Sequence, residues 1–465
     1  MDKILYKIKS LIPVKLFKAV QPVYHYLFNL LAAIVYKFPS NELIIIGVTG
    51  TTGKTTSTYL IAKTLENAGY KTGFTSTAMF NDGKREWMND KKMTMIGRFF
   101  TQRILRQMVK NNCKYAIVET TSEGIEQFRH KFINYDILVF TGLYEEHIES
   151  HGSFENYKKA KGKLFAHLSK CATKRIDDSK TVIRSESGIK KIDLNRVKKV
   201  IIANGNDKHL DYFINFKANE KIVYKQVGAK VNIDLSNVQE LDYEFLSADS
   251  QGINFKIEEQ ELNLKLLGAF NVENTMNAYS VAVSQNISKE KIKKGLESIS
   301  GVAGRLEGID EGQDFSVIVD YAFEPNALNK LYETLSLFTH NKIIHVLGSA
   351  GGGRDIARRP KLGKIAGNNA DIVIITNEDP YDEDPELIID QVSLGAEKAG
   401  KKNKVDLFRI IDRREAIAKA VSLAETGDIV LVTGKGNEQA ICVAGGEKID
   451  WDDRVVVREI LAKNI

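Results

Sequence analysis

The run GVTGTTGKTT, Gly47 to Thr56, constrains this chain more than any other stretch. An apolar segment, LIIIGV, leads into it, and a helical period, TTSTYLIAKTLENAG, follows. A glycine loop between a buried strand and a helix turns its backbone N–H groups, with the helix N-terminus behind them, toward phosphate. Gly50, Thr51 and Gly53 would shape that cradle, with Thr56 closing it. Lys54 would reach the β- and γ-phosphates of a bound ATP, and the Thr55 hydroxyl would sit on Mg²⁺. The spacing departs from the common G-x-x-x-x-G-K-[ST], since the residue five before Gly53 is Val48.

Short apolar runs alternate with helical periods from Leu43 onward, which predicts an α/β fold with a mainly parallel sheet. YAIVET and ILVFTGL are further strands of this P-loop-type central ATPase domain. Between 171 and 265, lysine-rich loops precede VYKQVGAKVNID, YEFLSAD and GINFKIEE, which read as antiparallel strands. The segment 172–198 has weak periodicity and reads as an insertion or a loop. After the glycine-rich GVAG at 301–304, SVIVDYA, KIIHVLGS, DIVIIT and DIVLVTG alternate with helices. They predict a second, Rossmann-like doubly wound domain. The expected division is therefore 1–42, 43–300 and 301–465.

The net charge of +6 is concentrated: residues 1–40 hold six lysines and one acid, Asp2, giving +5 and leaving +1 for the rest. The main body thus offers no basic field for nucleic acid. Three separated cysteines, Cys113, Cys171 and Cys442, fit neither a zinc cluster nor a disulfide framework and suit a reducing cytoplasm. The apolar part of the N-terminal segment, Val23 to Tyr36, is 14 residues long, short of the roughly 17–25 that span a bilayer. No small-residue cleavage site follows it. Two readings stand side by side. One is a helix or helical hairpin, broken near Pro13 and Pro22, packed on the body or in a dimer. The other is a basic amphipathic segment lying on an anionic membrane surface.

Several further motifs carry chemistry. Glu119 ends the strand YAIVE, where an α/β sheet presents ligands, and its carboxylate suits Mg²⁺. His147 follows the strand ILVF and is a candidate metal ligand beside that loop. Lys161 falls in a helical stretch, YKKAKGKLFAHL, where a lysine is ordinarily solvated. Asn271 and Asn274 in GAFNVEN could hydrogen-bond a base. Arg305 in GRLEG could offset phosphate charge, and Asp320 ends a strand facing a cleft. GSAGGGRD, with Arg354, is a second glycine loop lacking GK[ST].

Together these motifs resemble the Mur ligases, ATP-dependent peptide ligases of bacterial cell-wall synthesis. The likeness covers about residues 43–465 and is nearest the type that adds the third amino acid to UDP-N-acetylmuramoyl-dipeptide (the MurE type). It rests on TGTTGKTT, the run ETTSEGIEQFR, HIESHG with YKKAKGKLF, GAFNVEN, GVAGR, DYAFEPNAL, GGGRD with RRP, EDPYDEDP, GKGNE and DDR, in that order. The resemblance implies that Lys54 and Thr55 bind ATP and Mg²⁺, with Glu119 and His147 as metal ligands. Lys161 would be carbamylated, an anionic support for a second Mg²⁺. Asn271 and Asn274 would face adenine, and Arg305 and Asp320 would complete the nucleotide site. Thr94, Ser122, Gln127 and Arg129 would hold the acceptor. Arg354, Glu378, Asp379, Pro380, Tyr381, Gly434 and Glu438 would receive the amino acid.

The implied reaction joins an amino acid to a muramoyl-dipeptide precursor through an acyl phosphate, releasing ADP and phosphate, in a monomer or weak homodimer. The alternatives are a Mur-type ligase with another cell-envelope or polyglutamate-type acceptor, and a non-catalytic nucleotide-binding scaffold. The family's N-terminal domain binds the uridine diphosphate end, whereas about 42 residues precede the ATPase domain here, which points to a differently carried acceptor. Other departures are Glu123 for a histidine, Gly142 for an asparagine, and Phe323 and Asn437 for histidines. Where diaminopimelate-adding members carry D-N-P-R, this chain reads Glu378-Asp379-Pro380-Tyr381. Without that arginine, and with an acidic loop, lysine or ornithine is the expected amino acid.

Overall fold

Strand Ile44–Thr49 is buried at every position, as a strand covered on both faces must be. In the computed structural model it lies inside a sheet of eleven strands among the described residues. Those residues are 14–145, 151–176, 182–184, 195–231, 233–234, 236–353 and 356–464. Tyr115–Glu119 and Ile137–Phe140 flank the strand, both parallel to it. Three neighbouring strand ends, at Thr49, Glu119 and Phe140, therefore open on one edge, the edge at which helix Lys54–Asn67 begins.

One carboxylate ties the opposite edge. Asp136, fully buried, accepts the Ile45 N–H at 2.9 Å and pairs with Lys199 at 2.9 Å and with Lys174. Lys174 also donates to the carbonyls of Leu43 and Asn134 at 2.7 and 2.6 Å. Residues 172–198 are thus not merely a loop. Lys174–Ile176, Val182–Arg184 and Asn195–Arg196 form a small antiparallel sheet, anchored through Lys174; 177–181 and 185–194 lie outside the described residues.

The reading of 220–257 needs one correction. Glu220–Gln226 pairs parallel to both Val200–Asn204 and Gln239–Asp249, and antiparallel pairing starts only beyond it. Within this strand only Ile222, Val223 and Tyr224 are buried, a three-residue apolar run that does not tell parallel from antiparallel pairing.

The second sheet contains four parallel strands in the order Ser316–Asp320, Ile429–Thr433, Ile343–Leu347, Ile372–Ile375. Leu407–Arg409 extends it in parallel, and Glu307–Ile309 pairs antiparallel at the other edge. These two strands are three residues each, too short to announce themselves by pattern.

Helix Val14–Val35 runs through Pro22 without a break, contrary to the expected interruption there. Pro13 lies outside the described residues. Asn29, Ala32 and Ala33 are buried, and the small alanines let the helix approach the body closely.

Candidate functional site

The glycine loop closes on itself at the carboxyl edge of the first sheet. Thr51 N–H donates to Gly142 O at 2.8 Å, and the Thr141 hydroxyl donates to Thr52 O at 2.6 Å. Gly53 has φ 76°, and a Cβ there would lie 2.2 Å from Asn274 Oδ1, so only glycine fits. Lys54 Nζ donates to Thr51 O at 2.6 Å. The Thr55 hydroxyl donates to Glu119 Oε2 at 3.0 Å, and Arg305, just after the glycine-rich GVAG, reaches the same hydroxyl at 3.4 Å. The buried Thr56 helps line a cavity of about 200 Å³ that also meets Asn271, Leu266, Leu267, Val302 and Arg305. Asn274 backs the loop instead of opening to that cavity: its Oδ1 accepts from Ser57 at 3.3 Å, and its amide donates to Asn271 at 2.7 Å.

Thr77 was not anticipated. Its N–H and hydroxyl bond both oxygens of Glu119, at 2.8 and 3.0 Å, and its hydroxyl meets that of Thr94 at 2.7 Å. A threonine just past strand Thr72–Thr75 was the available signal. Lys161 is buried, not solvated. Its Nζ donates to Gly50 O at 2.7 Å and lies 4.5 Å from the centre of the Tyr157 ring. Asp320 uses one carboxylate oxygen on the Leu306 N–H and the other on the Ala322 N–H, both at 2.7 Å, fastening the segment that carries Arg305 to the end of strand Ser316–Asp320. Burial pushes its carboxyl up.

As for Mg²⁺, among the described residues no three His, Cys, Asp or Glu side chains cluster. The carboxyl edge does bring one hydroxyl and one carboxylate together, Thr55 and Glu119, the hard-oxygen donors that this ion takes. His147 lies outside the described residues.

Beside Thr94 two arginines, Arg98 and Arg129, come together. Arg129 donates to Gln127 Oε1 at 2.6 Å and to Met95 O. Burial and the neighbouring Arg98 lower its pKa to about 10. The Nε atoms of both arginines are buried without a partner, so each guanidinium keeps a donor that an anion could take. Ser122 Oγ bonds His151 at 3.0 Å. Arg98 is an addition to the residues singled out from sequence. The N-terminal helix borders this pair: Tyr24 stacks under the Arg98 guanidinium at 5.0 Å, and Asn29 donates to Gln127 O at 3.2 Å.

In the second sheet, Ser349, Glu378 and Asn437 each follow a parallel strand at its carboxyl end, and each keeps a buried polar atom unpartnered. Such convergence at one sheet edge is where α/β ligands bind. Burial, then Asp379 next to it, pushes the Glu378 carboxyl up. Gly434 makes room for Glu378, since a Cβ there would stand 2.6 Å from its Oε2. Pro380 O packs against Gly351, and Tyr381 holds a left-handed φ of 52°, a costly conformation for a bulky residue. Arg354 lies outside the described residues.

The surplus of acids in the loop is largely structural. Asp384 caps helix Pro385–Lys398, Glu383 accepts from Gly353 N–H and Arg359, and Asp382 accepts from Gly445 N–H. Asp379 meets Lys435 at 3.0 Å and Lys92 at 2.6 Å. The loop therefore presents far less free negative charge than its composition suggests.

Comparison with known proteins adds the following. The Mur ligase middle domain family matches residues 48–193, and the Mur ligase, glutamate ligase domain family matches 304–436. The chain is 35% identical over 441 residues to a UDP-N-acetylmuramyl-tripeptide synthetase of Roseiflexus sp. (strain RS-1), covering 93% of this chain and 81% of that protein. It is 33% identical over 435 residues to a UDP-N-acetylmuramoyl-L-alanyl-D-glutamate–2,6-diaminopimelate ligase of Geobacillus thermodenitrificans (strain NG80-2), covering 92% and 81%. A solved structure of a ligase of that second name superposes with a TM-score of 0.56 at 28% identity, covering 91% of this chain and 79% of that one.

Proposed function

The chain belongs to the Mur ligase family, and from that premise we propose that it adds the third amino acid to a muramoyl-dipeptide precursor. It is an ATP-dependent amide ligase. A carboxylate acylates poorly at neutral pH, so ATP first converts it to an acyl phosphate; the amine then attacks, and phosphate leaves with the bond formed. The observation that carries this reading is the Thr55–Glu119 pair where the glycine loop meets the neighbouring strand end, reached by Arg305 from residues 301–465.

In this reading residues 43–300 form the nucleotide unit and 301–465 the amino-acid unit. Lys54 and Arg305 offset charge on the transferring phosphoryl group. Asn271 and its cavity take the base, and Asn274 and Asp320 support it indirectly. Thr55 and Glu119, with His147 and a carbamylated Lys161, would hold Mg²⁺, which supplies charge neutralisation when bound. Thr94, Ser122, Gln127 and Arg129, joined by Arg98, orient the acceptor through its carboxylate. Glu378, Asp379, Pro380, Tyr381, Gly434 and Glu438, with Arg354, receive the amino acid, for which L-lysine or L-ornithine is favoured over diaminopimelate by the missing arginine. Incubating the chain with ATP, candidate acceptors and a panel of amino acids, then weighing the products, tests the reading. Tight ATP binding without ADP release from any combination would refute it in favour of a scaffold.

Among the described residues no helix is long and apolar enough to cross a membrane. The outward face of helix Val14–Val35 nonetheless exposes Val23, Leu27, Leu31, Ile34 and Val35 in helical register. In this reading the enzyme is cytoplasmic, monomeric or weakly dimeric, and this face, with the lysines of residues 1–40, rests on an anionic membrane surface.

A further inference from the structure

Lys92 reaches across the molecule. It lies between strand Glu86–Met88 and helix Arg98–Lys110, two residues before Thr94, with φ 52°. Its Nζ stands 2.6 and 2.7 Å from the two oxygens of Asp379, 287 positions away, and 3.2 Å from Glu438. Its side chain is only 7% exposed. Lys435 meets the same two acids from within the second unit. Two carboxylates thus face two ammonium groups, and one of the cations belongs to the other unit.

Both oxygens of Asp379 are committed. Oδ1 also accepts the Cys442 N–H at 2.7 Å. An amino acid with a basic side chain seeking Asp379 and Glu438 finds Lys92 already there. The end of Lys92, a primary ammonium on a methylene chain, is chemically the end of free lysine or ornithine.

Resting on the amino-acid reading of this loop, we propose that Lys92 is an internal stand-in for the substrate's distal ammonium. It balances Asp379 and Glu438 while the amino acid is absent and yields to an amino acid bearing a distal ammonium. Exchange of one ammonium for another leaves the two carboxylates paired, and the released Lys92 regains water and rotamer freedom. A neutral side chain offers no such exchange, because displacing Lys92 would leave a buried charge unpaired. Specificity then comes from the requirement to replace a cation, which the acidic composition alone does not supply.

The test is calorimetric binding of L-lysine, L-ornithine and the uncharged isostere L-norleucine to the full chain with ADP present, in wild type and Lys92→Met. Removing the competitor is expected to tighten lysine or ornithine about tenfold, near 1.4 kcal/mol, whereas norleucine, which cannot pair with the carboxylates, stays the weakest of the three ligands in both proteins. Lys92→Gln serves as the second variant if Lys92→Met misfolds by circular dichroism. If wild type binds lysine and the variant binds it equally or more weakly, the stand-in role is wrong and the amino-acid reading survives. If neither protein binds lysine or ornithine, the amino-acid reading of this loop falls and the stand-in with it.

Discussion

Asp136 holds two lysines where water cannot reach, and removing its charge would leave both without a counter-ion. Asp136→Asn is expected to destabilise the chain by roughly 3–5 kcal/mol, measured by urea denaturation, with nucleotide chemistry affected only through folding. Lys161 makes the opposite kind of case. Sequence placed it on a helix whose neighbours are lysines, and its burial against the Gly50 carbonyl could not be read from spacing. Lys161→Ala is expected to lose most ligase turnover, on the order of 100-fold or more, since a group placed beside the reacting phosphates supplies several kcal/mol. Acetate or another short carboxylic acid should restore part of it, and full activity in the variant without rescue would remove the carbamate role. Lys92 was illegible for a similar reason: its meaning lies in a partner nearly three hundred positions away.

The elements that sequence revealed best are those whose pattern is set by burial on both faces. The strands around Gly47 and Val432 are continuous apolar runs with glycine loops after them, and they form as expected. Three-residue edge strands, and a proline carried inside a helix, have no such signature. Helix Val14–Val35 carries its own prediction. Its inner face is bound through Asn29 and the alanines, whereas Leu27 and Leu31 stand about half exposed on the outer face. Leu27→Glu with Leu31→Glu should therefore abolish sedimentation with phosphatidylserine-containing liposomes and leave the melting temperature within a degree or two. Unchanged sedimentation would mean that this face does not touch lipid.

At the scale of the whole molecule, two imidazoles are buried neutral, one in the turns after helix Ser122–Glu126 and one within strand Ile343–Leu347. His130 in the first unit and His345 in the second both have pKa values lowered from 6.5 to about 3 by burial. The unfolded chain binds protons below pH 6.5, whereas the folded chain does so only near pH 3. Stability is therefore complete above pH 6.5 and falls as pH drops toward 3, by about 1.4 kcal/mol per pH unit for each histidine. Chemical denaturation across that window should show the loss in both units, and His345→Gln should flatten the acid limb for the second. A stability flat from pH 6.5 to 4.5 would contradict the burial of both rings.

The backing of the glycine loop is built from chain that lies far downstream. Ser57 is held by Asn274 and Asn277, and Thr55 is met by Arg305, at separations of 217, 220 and 250 residues. During synthesis the loop emerges from the ribosome long before these supports exist. A nascent chain ending near residue 250 carries the whole GVTGTTGKTT run and lacks what packs behind Gly53. Nucleotide retention by stalled nascent chains should thus appear only once residues past Asn277 have left the exit tunnel, so that ATP engages the enzyme late in translation.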